Sequence, residues 1–215
     1  MVEILAFLGV IVGAYVLGGI NGAIVTSRLL YNDDVRTHGS GNAGLTNFFR
    51  TYGGRAMFLV ILIDVLKTAF PVVVGGMILE SYLTFGLVQE RVILGRALGG
   101  LFAMIGHAYP CFYKFRGGKA ALSGGTVALF LDARVFLILL VVFVLTVAIT
   151  RYVSLGSILA GIAFPVSFLF FNHGLWPTVL VFCCGAFVVF RHHTNIRRLI
   201  KGEERKQSFS GKGKT

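Results

Sequence analysis

Four short polar segments carry nearly all the side chains of this 215-residue chain that are capable of chemistry, and long apolar runs separate them. The first, from His38 to Arg50, strings Gly39, Ser40, Gly41, Asn42 and Gly44 ahead of Thr46 and Asn47. Glycines interleaved with small polar residues let the backbone fold tightly and aim N–H groups at one point, as an anion nest does. Arg50 adds a guanidinium fork suited to a phosphate. A plain surface turn has the same composition, so this segment alone does not identify a site.

The second segment runs from His107 to Lys119 and ends Phe115-Arg116-Gly117-Gly118-Lys119, with a helix predicted from Ala120. Gly-Gly-Lys at a helix start would combine free N–H donors, the positive dipole end and a mobile ammonium. The GxxxxGK[ST] pattern is absent and no strand precedes it, which excludes a nucleotide phosphate loop. Lys114, Arg116 and Lys119 also suit simple anchoring at a membrane face.

The third segment, Arg151 to Ser157, contributes Ser154 and Ser157. The fourth, Arg191 to Arg198, places His192 and Asn195 three apart, on one face if the helix continues, while His193 points elsewhere. No carboxylate or thiol stands nearby at ligand spacing, so the His-His pair is not read as a metal site.

The elements that position these segments must solve a problem of solvent. The chain is 56% hydrophobic and only 13% charged, with a mean hydropathy of +0.82. A soluble domain has about a quarter of its residues charged, so lipid is the main solvent here. The apolar runs are continuous rather than alternating, which favours helices over a barrel. Seven spans are expected, near residues 4–29, 55–79, 92–108, 120–131, 135–149, 155–171 and 175–190, in an all-α seven-helix membrane bundle. Asp132 to Arg134 reads as a tight turn between the fourth and fifth. The first span lacks a basic flank and is longer than a signal segment, so it is expected to remain as an anchor.

Charge sets the expected orientation. With the N-terminus outside and the C-terminus inside, sixteen of the twenty Lys and Arg residues face the cytoplasm. The net charge of +11 then reflects topology and attraction to anionic headgroups. No basic, aromatic-interleaved soluble module is present to bind nucleic acid. Asp64 and Lys67 fall inside the second span, three apart, and are read as a neutralising buried pair. Cys111, Cys183 and Cys184 lack CxxC spacing and read as packing residues. Residues 1–202 are expected to form one transmembrane domain, followed by a basic, disordered cytoplasmic tail over 203–215 with no chemistry assigned.

Together the four segments resemble the bacterial membrane glycerol-3-phosphate acyltransferases that use acyl phosphate as donor, the PlsY family. The resemblance rests on Asp34-Val35-Arg36, on His38 through Asn47 with Arg50, and on Gly106-His107 with Phe115 through Lys119. It continues in Arg151-Tyr152 with Ser154 and Ser157, and in Arg191-His192 with Asn195-Ile196. It implies transfer of a fatty acyl group to the 1-hydroxyl of sn-glycerol 3-phosphate in the inner cell membrane, giving lysophosphatidate and phosphate. No metal, cofactor, acyl-CoA or acyl carrier protein is implied. The soluble-type alternative needs His followed five positions later by Asp, and none of the five histidines satisfies that.

The candidate catalytic residues are Ser40, Asn42, Lys119, His192 and Asn195, with His107 as an alternative to His192 for a base or orienting group. Candidate substrate-binding residues are Arg50, Thr46, Asn47, Ser154 and Ser157, the Gly117 and Gly118 amides, and Ser123. An acyl phosphate is already activated, so holding the hydroxyl in line and neutralising the departing phosphate is most of the task. The departing phosphate itself is an alternative proton acceptor. The main departure from the family pattern is Ala120 where glycine is usual, which requires negative φ or costs strain. A small anion transporter is the competing class, but only Asp64 and Lys67 lie deep, where transporters place their polar groups.

Overall fold

Helix boundaries follow from where side chains and glycines interrupt the apolar runs. In the computed structural model, which describes residues 1–84 and 86–207, ten α-helices and no strands occur among the described residues. The first apolar run is broken rather than continuous: α1 spans Val2–Gly18 and α2 spans Gly22–Tyr31. Asn21 causes the restart, because its carboxamide oxygen caps the Ile24 N–H at 3.0 Å and its Nδ2 reaches the Ala43 carbonyl at 3.0 Å.

After a 3-10 turn at Val35–Thr37, the short helix α3 (Leu45–Tyr52) packs Phe48 inward and the chain enters α4 (Met57–Tyr82). Next come α5 (Val88–Ala108), α6 (Ala121–Leu131) and α7 (Ala133–Thr150), then α8 (Val153–Leu169), α9 (Leu175–Arg191) and α10 (His193–Ile200). Four runs are long and apolar enough to cross a membrane: Val2–Tyr31, Met57–Tyr82, Val88–Tyr113 and Ala133–Thr150. Helices α9 and α10 form a fifth that is bent by 54°, and α6 and α8 are shorter apolar helices. The helices of the core approach closely through small residues. A Cβ on Gly106 of α5 would collide with the Tyr15 carbonyl of α1.

One length mismatch shapes the site. Helices α6 and α7 meet at Asp132, which ends one and caps the other through the Arg134 N–H. At 1.5 Å per residue, the 11 residues of α6 rise about 16 Å and the 18 of α7 about 27 Å. Helix α6 is therefore about 10 Å shorter than α7. The loop ending in Lys119 leads into the start of the shorter helix.

Candidate functional site

The four polar segments meet at one end of the bundle, two of them by direct hydrogen bonds and the others through neighbouring residues. Arg36, two residues ahead of the first segment, forks onto Asp34 at 2.9 and 2.7 Å and donates its other nitrogen to the carbonyls of Tyr113 and Arg116, tying the lead-in of the first segment to the second. Arg191 donates to the Gly118 carbonyl at 2.9 Å and lies 4.5 Å over the Tyr109 ring, tying the fourth to the second. Ser154 joins through Glu204, and Arg50 donates to the Arg205 carbonyl.

Lys119 sits at the centre and donates from Nζ to the Asn195 carboxamide oxygen. Its amine is pushed down to about 8, first by burial and then by Arg198, with Arg191 and Arg50 adding repulsion against the pull of Glu204. His192 donates from Nδ1 to the Val188 carbonyl at 2.8 Å, because a carbonyl can only accept. That leaves the Nε2 lone pair free on a neutral ring, held down at about 4 chiefly by burial. The Ser123 hydroxyl in the first turn of α6 is buried and finds no hydrogen-bond partner among the described residues. The first amide to bond back within α6 is that of Gly124, onto Ala120, so the amides of Ala121 to Ser123 have no carbonyl inside the helix.

Several expectations are corrected by the geometry. The Gly117 and Gly118 amides are not free donors, since they bond to the carbonyls of Ala108 and His107, both at 3.1 Å. What the two glycines supply is space. A Cβ on Gly118 would strike the His107 ring, and one on Gly117 would strike the His107 carbonyl. The helix begins at Ala121, with Ala120 left-handed at φ 59°, so alanine bears the strain that glycine would avoid.

Asn47 holds its own loop in shape, accepting from the Ser40 N–H and donating to the carbonyls of Val35 and His38. Both of its amide hydrogens are spent there, so it cannot donate to substrate. Ser157 likewise bonds to the Val153 carbonyl within α8. His107 is buried, with Nδ1 2.7 Å from the Lys67 ammonium, and is withdrawn from the base role considered for it. The expected Asp64–Lys67 pair does form, at 2.8 Å, but the third member, His107, stands 40 residues away and was missed.

Ser40 is exposed at the rim, Asn42 and Thr46 are half-buried beside it, and Arg50 faces the tail. That tail departs from the expectation of a disordered end from residue 203. Glu204 accepts from Ser154 and Asn195, both at 2.7 Å, and from Arg198 at 2.6 Å. Burial would raise its carboxyl, but the hydrogen bonds from Ser154, Arg198 and Asn195 outweigh burial and hold it below the usual range. The signal was a lone acid pair in a basic tail. Residues 208–215 of the expected tail lie outside the described residues.

Among the described residues no group of three His, Cys, Asp or Glu side chains is arranged to hold a metal ion. The arrangement offers three guanidinium groups, those of Arg50, Arg191 and Arg198, with an ammonium, a helix start and a neutral imidazole. It suits a substrate bearing phosphate and a hydroxyl.

Comparison with known proteins points the same way. A family model described as glycerol-3-phosphate acyltransferase matches residues 8–202. The glycerol-3-phosphate acyltransferase of Geobacillus kaustophilus is 38% identical over 199 residues, covering 93% of this chain and 95% of that protein. That of Bacillus subtilis is 38% identical over 196 residues, covering 91% and 95%. Among solved structures, PlsY (YgiH), an integral membrane glycerol 3-phosphate acyltransferase, superposes in its glycerol 3-phosphate form with a TM-score of 0.83 at 30% identity, over 94% of this chain and 96% of that one. Its lysophosphatidic acid form gives a TM-score of 0.80 at 28% identity, over 94% and 95%.

Proposed function

The chain belongs to the glycerol-3-phosphate acyltransferase family, and we propose that this multi-pass membrane acyltransferase takes its acyl group from acyl phosphate. The acceptor is the 1-hydroxyl of sn-glycerol 3-phosphate, and the products are lysophosphatidate and inorganic phosphate. The active end faces the cytoplasm of a bacterial inner membrane. Seven spans run with the N-terminus outside, formed by α1 with α2, then α4 to α9, and residues 1–202 make one domain. This orientation puts sixteen of twenty cations inside.

The observation that carries the reading is the meeting of all four segments around Lys119, with Asn195 on its ammonium and Arg191 on the loop before it. Two phosphates must be bound, one on each substrate, and the cations present match that demand. Lys119, Arg50, the Ser123 hydroxyl and the first amides of α6 bind phosphate. Ser40, Asn42, Thr46, Ser154 and Asn195 position the glycerol backbone and the acyl carbonyl. The shortness of α6 lets the carbonyl meet the hydroxyl while its chain stays in lipid.

In the transfer, the glycerol oxygen forms a bond to the acyl carbon as the bond from that carbon to the phosphate oxygen breaks. His192 Nε2 accepts a hydrogen bond from the hydroxyl and aims it. Burial disfavours a charged ring, so the departing phosphate carries the proton away. Lys119 neutralises the charge that collects on that phosphate.

The test is direct. Purified protein in detergent is given a long-chain acyl phosphate with and without glycerol 3-phosphate, and phosphate release and lysophosphatidate are followed. Acceptor-dependent release supports the reading. Release no faster than the donor's own hydrolysis, and the same in Lys119→Ala, would remove it.

A further inference from the structure

Beneath the phosphate loop lies a closed set of ionisable groups that the transfer step does not use. The Lys67 ammonium donates to Asp64 Oδ1 at 2.8 Å and stands 2.7 Å from His107 Nδ1. Asp64 Oδ1 also accepts the Gly22 N–H at 3.0 Å, where α2 restarts, and lies 3.7 Å from His107 Nδ1. All three side chains are buried.

An amine is a much stronger base than an imidazole, so the shared proton stays on Lys67 and Nδ1 can only accept it. The ring proton must then sit on Nε2. That is the edge pressed against Gly118: a side chain there would strike Nε2 and would also meet the Ala43 carbonyl at 2.7 Å. The Ala43 carbonyl is itself held by Asn21 Nδ2. The Gly118 backbone is thus wedged between an imidazole edge and a fixed carbonyl, and its own N–H is tied to the His107 carbonyl.

We propose that Asp64 and Lys67 are positioning residues for the phosphate loop: they lock His107 as the tautomer protonated on Nε2, and the locked ring is the floor that sets the height of Gly118 and Lys119. The inference rests on the acyltransferase reading for its kinetic readout, but not for its tautomer. It separates two kinds of buried ion pair. A pair kept only for packing could be replaced by an apolar pair with no kinetic trace, whereas this pair fixes which ring nitrogen carries the proton under the site.

Removing Lys67 alone leaves a buried carboxylate uncompensated, so the decisive variant removes both charges: Asp64→Asn with Lys67→Met. Two measurements are made. In protein labelled with ¹⁵N-histidine, the His107 signal, identified by its absence in His107→Gln, reports a ring protonated on Nε2 in the wild type and loses that preference in the paired variant. In steady-state kinetics the paired variant keeps the wild-type unfolding midpoint. The KM of the substrate whose phosphate rests on this loop rises, by up to about 10²-fold for a misplacement of about 1 Å, and the other substrate's KM is unchanged. A ring protonated on Nδ1 in the wild type overturns the proposal. So do two unchanged KM values, or KM values that shift together with the midpoint. A wild type that makes no lysophosphatidate would defeat the functional reading instead, and the tautomer signal would still decide this one.

Discussion

Two clusters built from the same three kinds of side chain, an aspartate, a cation and a histidine, sit in very different surroundings. Asp64, Lys67 and His107 are buried below the phosphate loop and join α2, α4 and α5. Asp132 and Arg134 sit at the α6–α7 turn, where His173, from the connection between α8 and α9, lies 3.0 Å from the carboxylate and the Arg134 side chain is 63% exposed. In the second cluster Asp132 caps α7 and Arg134 lies 4.0 Å over the Phe171 ring. Its aspartate and histidine are largely covered, but its arginine reaches water and can keep that charge solvated. The first cluster has no water to fall back on, so each group depends on the other two. Identical chemistry is thus a staple in one place and a foundation in the other.

That contrast predicts a wide gap in stability. Lys67→Met, which strands the Asp64 carboxylate, should cost about 3–5 kcal/mol, read as a lowered unfolding midpoint in detergent. Arg134→Gln should leave the midpoint where it is. Equal shifts in the two variants would erase the distinction. Above the buried cluster, Lys119→Ala should lower kcat/KM by about 10²–10³-fold with the protein still folded, as checked by its midpoint.

The surroundings of Lys119 also set a pH limb. With its amine at about 8, the ammonium form is complete near neutrality and is lost as pH rises through that value. The Lys119 contribution to phosphate affinity, wild type compared with Lys119→Ala, should therefore be constant below pH 7 and weaken above pH 8. Lys119→Arg should flatten the alkaline limb, because guanidinium keeps its proton. His192, held at about 4, should add no titration between pH 5 and 7. The smallest effect is expected at Ala120. Replacing it with glycine relieves a left-handed alanine and should raise the unfolding midpoint by the equivalent of about 1 kcal/mol.

The apolar runs, the four polar segments and their order were legible because hydrophobic periodicity and glycine spacing are local signals. The break at Asn21 was not, since a cap inside an apolar run shows only when the Ile24 amide and the Ala43 carbonyl are both in place. Gly117 and Gly118 looked like phosphate donors because the sequence does not reveal that the chain turns back to present the carbonyls of His107 and Ala108. Asn47 and Ser157 have the right chemistry but spend it on their own backbone. Glu204 was overlooked because a charged tail reads as solvated, whereas three donors from α8 and α10 draw it in. Residue type was informative throughout. What failed was the assumption that a polar group near a site is free to serve it.

The central claim is that separated loops share one face, opposite the Asp132 turn. Single cysteines at Ser40, Lys114 and Arg134, in a background where Cys111, Cys183 and Cys184 are serine, can be labelled in sealed vesicles by a membrane-impermeant thiol reagent. Ser40→Cys and Lys114→Cys should react from the cytoplasmic side and Arg134→Cys from the other. Reaction of the first two from opposite sides would contradict a shared site.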